Sequence, residues 1–295
     1  MSEQLPEFWT RARHWCVNAV LVSLIRIALL LPYAWRVRFF GAALRRAIGP
    51  VAGYRTAALA NLHQIFPDML ETERAEIARA SLDNAGRTFI ENYSAQDFPA
   101  RLAQNPIAGP GWAAFQTAAA TGQPVILATG HYGNYEATRA ALAGKGFAVG
   151  GLYRDMRNPY FNAHYVKTME NFGGPVFAQG RKGTAGFVRH LKGGGQLVLL
   201  FDQHVFGAPV LDFLGHPART ALSAAELALR YDAVLIPFYG IRQHDGLGFE
   251  TVLEAPIPPA DPETMTQALN DSLAARIRTN PGQWFWVHRR WRPQD

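Results

Sequence analysis

The sequence predicts an α/β fold: a mostly parallel sheet flanked by helices, with an N-terminal hydrophobic helix. Three observations carry this expectation. Strand-forming runs recur at 124–130, 147–153, 196–202, 233–239 and 249–254. Helical patterns fill most of the intervals between them, at 134–144, 158–172, 184–192 and 220–231. Several of the strand runs are continuously apolar rather than alternating, as strands covered on both faces are.

The N-terminal region comes first. Residues 1–50 hold arginines 11, 13, 26, 36, 38, 45 and 46 against Glu3 and Glu7, a local charge of +5 beside a total of +6. Within it lies the apolar stretch WCVNAVLVSLIRIALLLPYAW, broken by Asn18 and Arg26. About 20 apolar residues make a comfortable membrane span, and a charge at mid-span is costly. No small-residue cleavage site follows, so a cleaved signal peptide fits poorly. Flanking arginines and the aromatics Trp9, Trp15, Tyr33 and Trp35 suit a segment seated in or on an anionic membrane; a buried core helix is the alternative.

An acidic first turn and the spaced Ile77, Leu82 and Phe89 predict a helix from about 70 to 93. The alternating strands and helices follow. Near the C-terminus, Asp261 and Pro262 make a cap and first turn for a helix carrying Met265, Leu269, Leu273 and Ile277 at four-residue steps. No internal repeat or linker interrupts the chain. The expected organisation is a membrane-associated helical segment over 1–50 and one α/β domain over 51–295.

Composition narrows the function classes. The chain has 295 residues, 48% of them hydrophobic, which excludes general disorder. The single cysteine, Cys16, forbids an intrachain disulfide and suits a reducing compartment. A pI near 9.6 points to an acidic partner: nucleic acid, an anionic membrane, or an acidic protein or substrate. The chain lacks G-x-S-x-G, Walker A, H-E-x-x-H and G-x-G-x-x-G patterns, and its six serines sit in no recognisable nucleophile setting. A covalent acyl-enzyme is therefore not expected.

The segment VILATGHYGNYEA, residues 125–137, carries the chemistry. Residues five apart on a straight helix lie roughly 140° apart, so His131 and Glu136 do not form a helix-face pair. They converge if His131 ends a strand, Gly133 and Asn134 make the turn, and Glu136 opens the next helix, over the carboxyl end of the strand where open α/β sheets bind ligands. In that arrangement His131 serves as general base on a substrate hydroxyl, with Glu136 orienting the ring and stabilising the imidazolium. The alternative is a histidine that caps a helix or fills a core hydrogen bond.

TGHYGNYE resembles the H-x4-D/E signature of the glycerolipid acyltransferases, in the T-G-H-x-G-N-x-E form of the bacterial lipid A late acyltransferases. The resemblance continues through NLHQIFPDMLETER, YRDMRNPYFN, GRKGTAGFVRHLKGGGQLVLLFDQH, GAPVLDFLGHPARTALSAAELALRY and WVHRRW, nearly the whole chain. It implies transfer of a fatty acyl group from acyl carrier protein to a hydroxyl of a lipid A precursor, at the cytoplasmic face of the inner membrane. His131 and Glu136 are then the catalytic pair. Arg154, Arg181 and Arg289 are the expected contacts to phosphate or acidic-sugar groups, since a guanidinium fork matches phosphate oxygens. Asp202 and Gln203 follow an apolar strand and should sit at its carboxyl end, with an orienting role at the substrate; Gly133 and Asn134 complete the expected substrate-contacting set. Ligand chemistry alone would allow a metal at His131, Asp202 and His204, but no local spacing supports one, and no metal or cofactor is expected.

Two other readings follow from the same residues. One keeps the reaction and changes the acceptor to a lysophospholipid or a mannosylated inositol lipid. The other is a metal-dependent hydrolase or a catalytically silent lipid-binding protein. The C-terminal QWFWVHRRWR has the basic-aromatic character of a nucleic-acid surface, but the N-terminal apolar segment has no use in that role, and no nucleic-acid partner is expected.

Overall fold

The computed structural model of the chain describes residues 4–291. Helix α1 (Gln4–Leu29) is followed by α2 (Tyr33–Ala43), a π-helical turn over Leu44–Ile48, the short α3 (Gly49–Val51) and α4 (Tyr54–Ile65). Then come α5 (Glu71–Tyr93) and α6 (Asp97–Leu102), which lead into the sheet. The alternating part runs β1 (Ile107–Ala108), α7 (Gly111–Thr121), β2 (Val125–Thr129), α8 (Tyr135–Gly144), β3 (Val149–Tyr153), α9 (Pro159–Glu170), β4 (Val176–Ala178), α10 (Arg181–Lys192) and β5 (Gln196–Leu200). The hairpin β6 (Val210–Phe213) and β7 (His216–Arg219), α11 (Ser223–Tyr231), β8 (Val234–Arg242), β9 (Phe249–Leu253) and α12 (Pro262–Thr279) complete it.

The main sheet has seven strands in the order β1-β9-β8-β2-β5-β3-β4. Its neighbouring pairs are parallel except β8 and β9, which join directly as an antiparallel pair. Each of the five expected strands is present, and the mostly parallel α/β architecture is the one the apolar runs predicted. β2 is buried along its whole length and splits its side chains between two cores. Val125 and Leu127 join Phe115, Ile236 and Phe238 on one face, while Ile126 and Ala128 join Leu269, Leu273 and Trp284 on the other. That two-sided burial is why the run reads as continuously apolar.

Strand order places a ligand crevice. From β2 the chain crosses through α8 to β3 on one side, whereas from β5 it leaves through the hairpin and α11 to β8 on the other. Connections that depart in opposite directions open a gap at the carboxyl ends of the two strands between them. β2 and β5 are those strands.

α5 forms one wall of the crevice and is tied to the sheet by a buried ionic network. Arg242, at the end of β8, donates to both carboxylate oxygens of Glu91 at 2.5 and 2.8 Å and to Asn84 Oδ1 at 2.7 Å. Glu91 is fully buried, so removing it would leave a guanidinium in the core without its counter-charge. Glu91→Ala is expected to cost about 3–5 kcal/mol of unfolding free energy, read as a lower denaturant midpoint than wild type. A midpoint within error of wild type would show that the pair does not hold α5 to the sheet.

Candidate functional site

β2 and β5 pair in register, with Thr129 opposite Leu200. Two residues beyond those partners, past the ends of the strands, stand His131 and Asp202. The register thus brings together side chains 71 positions apart in sequence. Asp202 Oδ1 lies 2.8 Å from His131 Nδ1, and Asp202 Oδ2 accepts from the His131 backbone N–H at 2.7 Å. Trp284 Nε1 donates to the same Oδ2 at 2.8 Å. Burial by itself would raise the Asp202 pKa, but the charge and hydrogen bonds of His131, aided by His288, hold this fully buried carboxyl well below the usual carboxylate range. An ionised partner on Nδ1 fixes the neutral ring with its proton there, leaving Nε2 on the other side of the ring to accept one.

The corner is built from residues that the chain cannot easily exchange. A Cβ on Gly130 would come within 2.9 Å of Asp202 Oδ2 and 2.5 Å of Leu273 Cδ2, so only glycine lets the carboxylate approach. Gly133 has φ +56°, and a Cβ there would lie 2.0 Å from the Gly240 carbonyl oxygen. Asn134 caps α8: its Oδ1 accepts from Glu136 N at 3.1 Å, and its Nδ2 donates to Glu91 Oε2 at 3.0 Å and Asn92 Oδ1 at 3.1 Å. Asn134 is fully buried and, with Gly133, forms the turn itself, while Gly133 also lines the smaller of two cavities at the site. The C-terminal segment closes the corner, with Phe285 N donating to the His131 carbonyl at 3.0 Å and Gly133 N to the Gln283 carbonyl at 3.0 Å.

The expected partner of His131 was Glu136, and here the geometry corrects the sequence reading. Glu136 Oε2 accepts from Arg139 NH1 at 2.7 Å in a buried pair three residues apart on α8. Arg139 also donates to the Val149 carbonyl from Nε and NH2. Because the first turn of α8 directs Glu136 along its own helix toward Arg139, the ring is held by Asp202 instead. Burial raises the Glu136 pKa, and Arg139 opposes the rise. Asp202, expected beside substrate, is buried with its oxygens hydrogen-bonded to His131 and Trp284.

Two cavities meet at His131 and Tyr135. The larger, of roughly 640 Å³, is lined by Glu136, Arg139, Arg154 and Gln203, with the apolar Leu152, Met169 and Val198 also in its wall. The smaller, of roughly 200 Å³, runs beside α5 and is mainly apolar, with Ala85, Phe89 and Phe285 in its wall. Arg154 and Gln203 are exposed and line the larger cavity. Arg181 opens α10, but its side chain lies outside the described residues. Arg289 is exposed, and the neighbouring Arg290 is buried instead, donating to the Thr220 hydroxyl and the Arg219 carbonyl. The sequence reading missed Trp284 and the Arg139 pairing. Arg139 was legible as an i,i+3 partner of Glu136; Trp284 was not, because its link to Asp202 exists only once the C-terminal segment has folded over the strand ends.

The family model described as bacterial lipid A biosynthesis acyltransferase matches residues 5–293 of this chain. A lipid A biosynthesis lauroyltransferase of Escherichia coli (strain K12) is 26% identical over 241 residues, covering 79% of this chain and 77% of that protein. A lipid A biosynthesis acyltransferase of Haemophilus influenzae is 24% identical over 237 residues, 79% of this chain and 74% of its own length. A phosphatidylinositol mannoside acyltransferase of Mycolicibacterium smegmatis is 33% identical, but over 81 residues, 28% of this chain and 27% of that protein.

His288 gives the site an acid limit. Its ring sits 4.5 Å from that of His131, and burial first, then the charges of His131 and Arg290, pull its pKa down to about 4. An unfolded histidine titrates near 6.5. Between those values the unfolded chain takes up a proton that the folded one refuses, so stability falls as pH drops from about 6.5 toward 4. Above that window the group has no effect, and Asp202 adds its own loss below it. His288→Gln is expected to flatten the thermal midpoint across this window; an unchanged slope would remove His288 as its cause.

Proposed function

This chain belongs to the bacterial lipid A biosynthesis acyltransferase family, and from that premise we propose that it transfers a fatty acyl chain from acyl carrier protein to a hydroxyl of a lipid A precursor. The observation that carries this reading is the His131–Asp202 pair at the mouth of two cavities. A direct transfer has two large substrates and needs one base between them. The larger cavity, with Arg154 and Gln203 at its exposed side, suits the phosphorylated acceptor, and the apolar cavity beside α5 suits acyl chain.

The donor is a thioester on the phosphopantetheine arm of the carrier protein. Nε2 of His131 takes the proton from the acceptor hydroxyl as its oxygen attacks the thioester carbonyl. Asp202, ionised and buried, stabilises the imidazolium across Nδ1. When the tetrahedral intermediate collapses, the carbon–sulfur bond breaks, the ester remains on the acceptor, and the imidazolium returns the proton to the departing thiolate. Glu136, paired with Arg139, lines the same cavity and supports its wall rather than hydrogen-bonding the imidazole. No step needs a metal or cofactor.

The membrane side of the proposal rests on α1. Phe8–Leu29 is long and apolar enough to cross a membrane by length and composition, and most of it is exposed. The helix touches the domain at both His14, whose carbonyl accepts from Asn158, and at Ile25 and Ala28, which are buried against Val37 and Ile90. A helix held alongside the domain over that length suits a position along the bilayer surface, at the cytoplasmic face of the inner membrane.

The test is a reconstituted assay with acyl-carrier-protein thioester and either a lipid A precursor or a lysophospholipid, read by mass spectrometry. One added acyl group on the lipid A precursor is the expected product. His131→Ala and Asp202→Asn are expected to lower kcat by about 10²- to 10⁴-fold with folding intact, and Glu136→Gln by less. Acylation of the lysophospholipid alone would reassign the acceptor, and a folded His131→Ala that keeps more than about a tenth of kcat would remove the base.

A further inference from the structure

Away from the site, the corner between α2 and α4 carries features that catalysis does not use. A cavity of roughly 430 Å³ there is lined by Arg45, Arg46, Arg55 and Arg79, with Pro50. The four arginines come from three elements: the π-helical turn, α4 and α5. Among the described residues, only Arg45 of the four forms an ion pair, with Asp83 at 4.0 Å, which Arg87 already engages. Among the described residues, Arg46, Arg55 and Arg79 form no ion pair within 4.0 Å. Like charges gathered around one cavity repel each other, and an anion held among them relieves that repulsion. Guanidinium groups favour phosphate oxygens.

The same corner is apolar at its tip. Val51 is 91% and Ile48 54% exposed, with Tyr54 beside them. The stretch from 46 to 56 contains no acidic residue and, apart from Gly49, is exposed throughout. A π-helical turn, which is rare and often marks a functional position, inserts there into an otherwise continuous run of helix from α2 to α3. On α2, Trp35 and Phe39 are exposed as well.

We propose that this corner is a second membrane contact, in which Arg45, Arg46, Arg55 and Arg79 bind the phosphate of an anionic phospholipid headgroup while Ile48 and Val51 enter the acyl layer. A soluble phosphate compound would satisfy the arginines alone. The exposed apolar tip next to them is what selects a lipid. This rests on the membrane position proposed for α1 and adds a fixed orientation: two anchors at different points of the molecule hold the crevice at a set height and tilt over the bilayer.

The test uses full-length protein in which the exposed Cys16 is changed to Ser, with Val51→Cys labelled by a nitrobenzoxadiazole fluorophore. It is reconstituted in nanodiscs of phosphatidylcholine, with or without phosphatidylglycerol. Phosphatidylglycerol is expected to shift the emission to the blue and to lower quenching by aqueous iodide several-fold, and Arg46→Ala with Arg55→Ala is expected to reverse both. Labelling of Arg46 and Arg55 by phenylglyoxal, read by mass spectrometry, should be slowed by phosphatidylglycerol discs and not by inorganic phosphate at equal phosphate. Protein that co-elutes with the discs while position 51 stays open to iodide overturns the corner site and leaves the α1 anchor standing; protein that fails to co-elute overturns both. Equal protection by inorganic phosphate overturns the lipid as ligand.

Discussion

A carboxylate with no exposed surface, shared between an imidazole and an indole, is the contact around which the site is arranged. Burying Asp202 as an ion is costly and is tolerated because every direction around it supplies a donor: the His131 backbone and ring, and Trp284. Each donor needs its own support. His131 is set by the register of β2 on β5, and Trp284 by a C-terminal segment that bonds to the corner at Gly133 and His131. That segment is in turn held by Ser81 and Asn84 of α5, which accounts for how a helix more than 100 positions upstream belongs to the same site.

Legibility in the sequence followed the range of the forces involved. β2 and β5 were readable because burial on both faces leaves a run of Val, Ile and Leu, a signal carried by consecutive residues. The cap of α12 was readable for the same reason, with Asp261 Oδ1 accepting from Thr264 N three residues on. Strand order is not local, so the pairing of His131 with Asp202 could not be read although both were placed at strand ends. The nearer carboxylate, Glu136, took its place in the sequence reading because five residues look close in a chain. On the helix it opens, its neighbour is Arg139.

Other differences have equally specific causes. The β6–β7 hairpin turns through Leu214 and Gly215, both with positive φ. Such turns usually advertise themselves as Asn-Gly or Asp-Gly, and a leucine in the first position hides the signal. β1 has two residues and forms by pairing with β9, so it carries no periodicity of its own. Arg289 and Arg290 show how fine the distinction is: adjacent arginines in a basic-aromatic tail, one exposed and the other buried against Phe213 and Thr220.

The central claim is that Asp202 and not Glu136 sets the state of the His131 ring. Nitrogen-15 NMR of histidine-labelled protein reads this directly, because a protonated and a bare ring nitrogen resonate far apart. At a pH where the ring is neutral, His131 is predicted to show its proton on Nδ1 in wild type and in Glu136→Gln, and to lose that preference in Asp202→Asn. A tautomer that survives Asp202→Asn and is lost in Glu136→Gln would contradict the account.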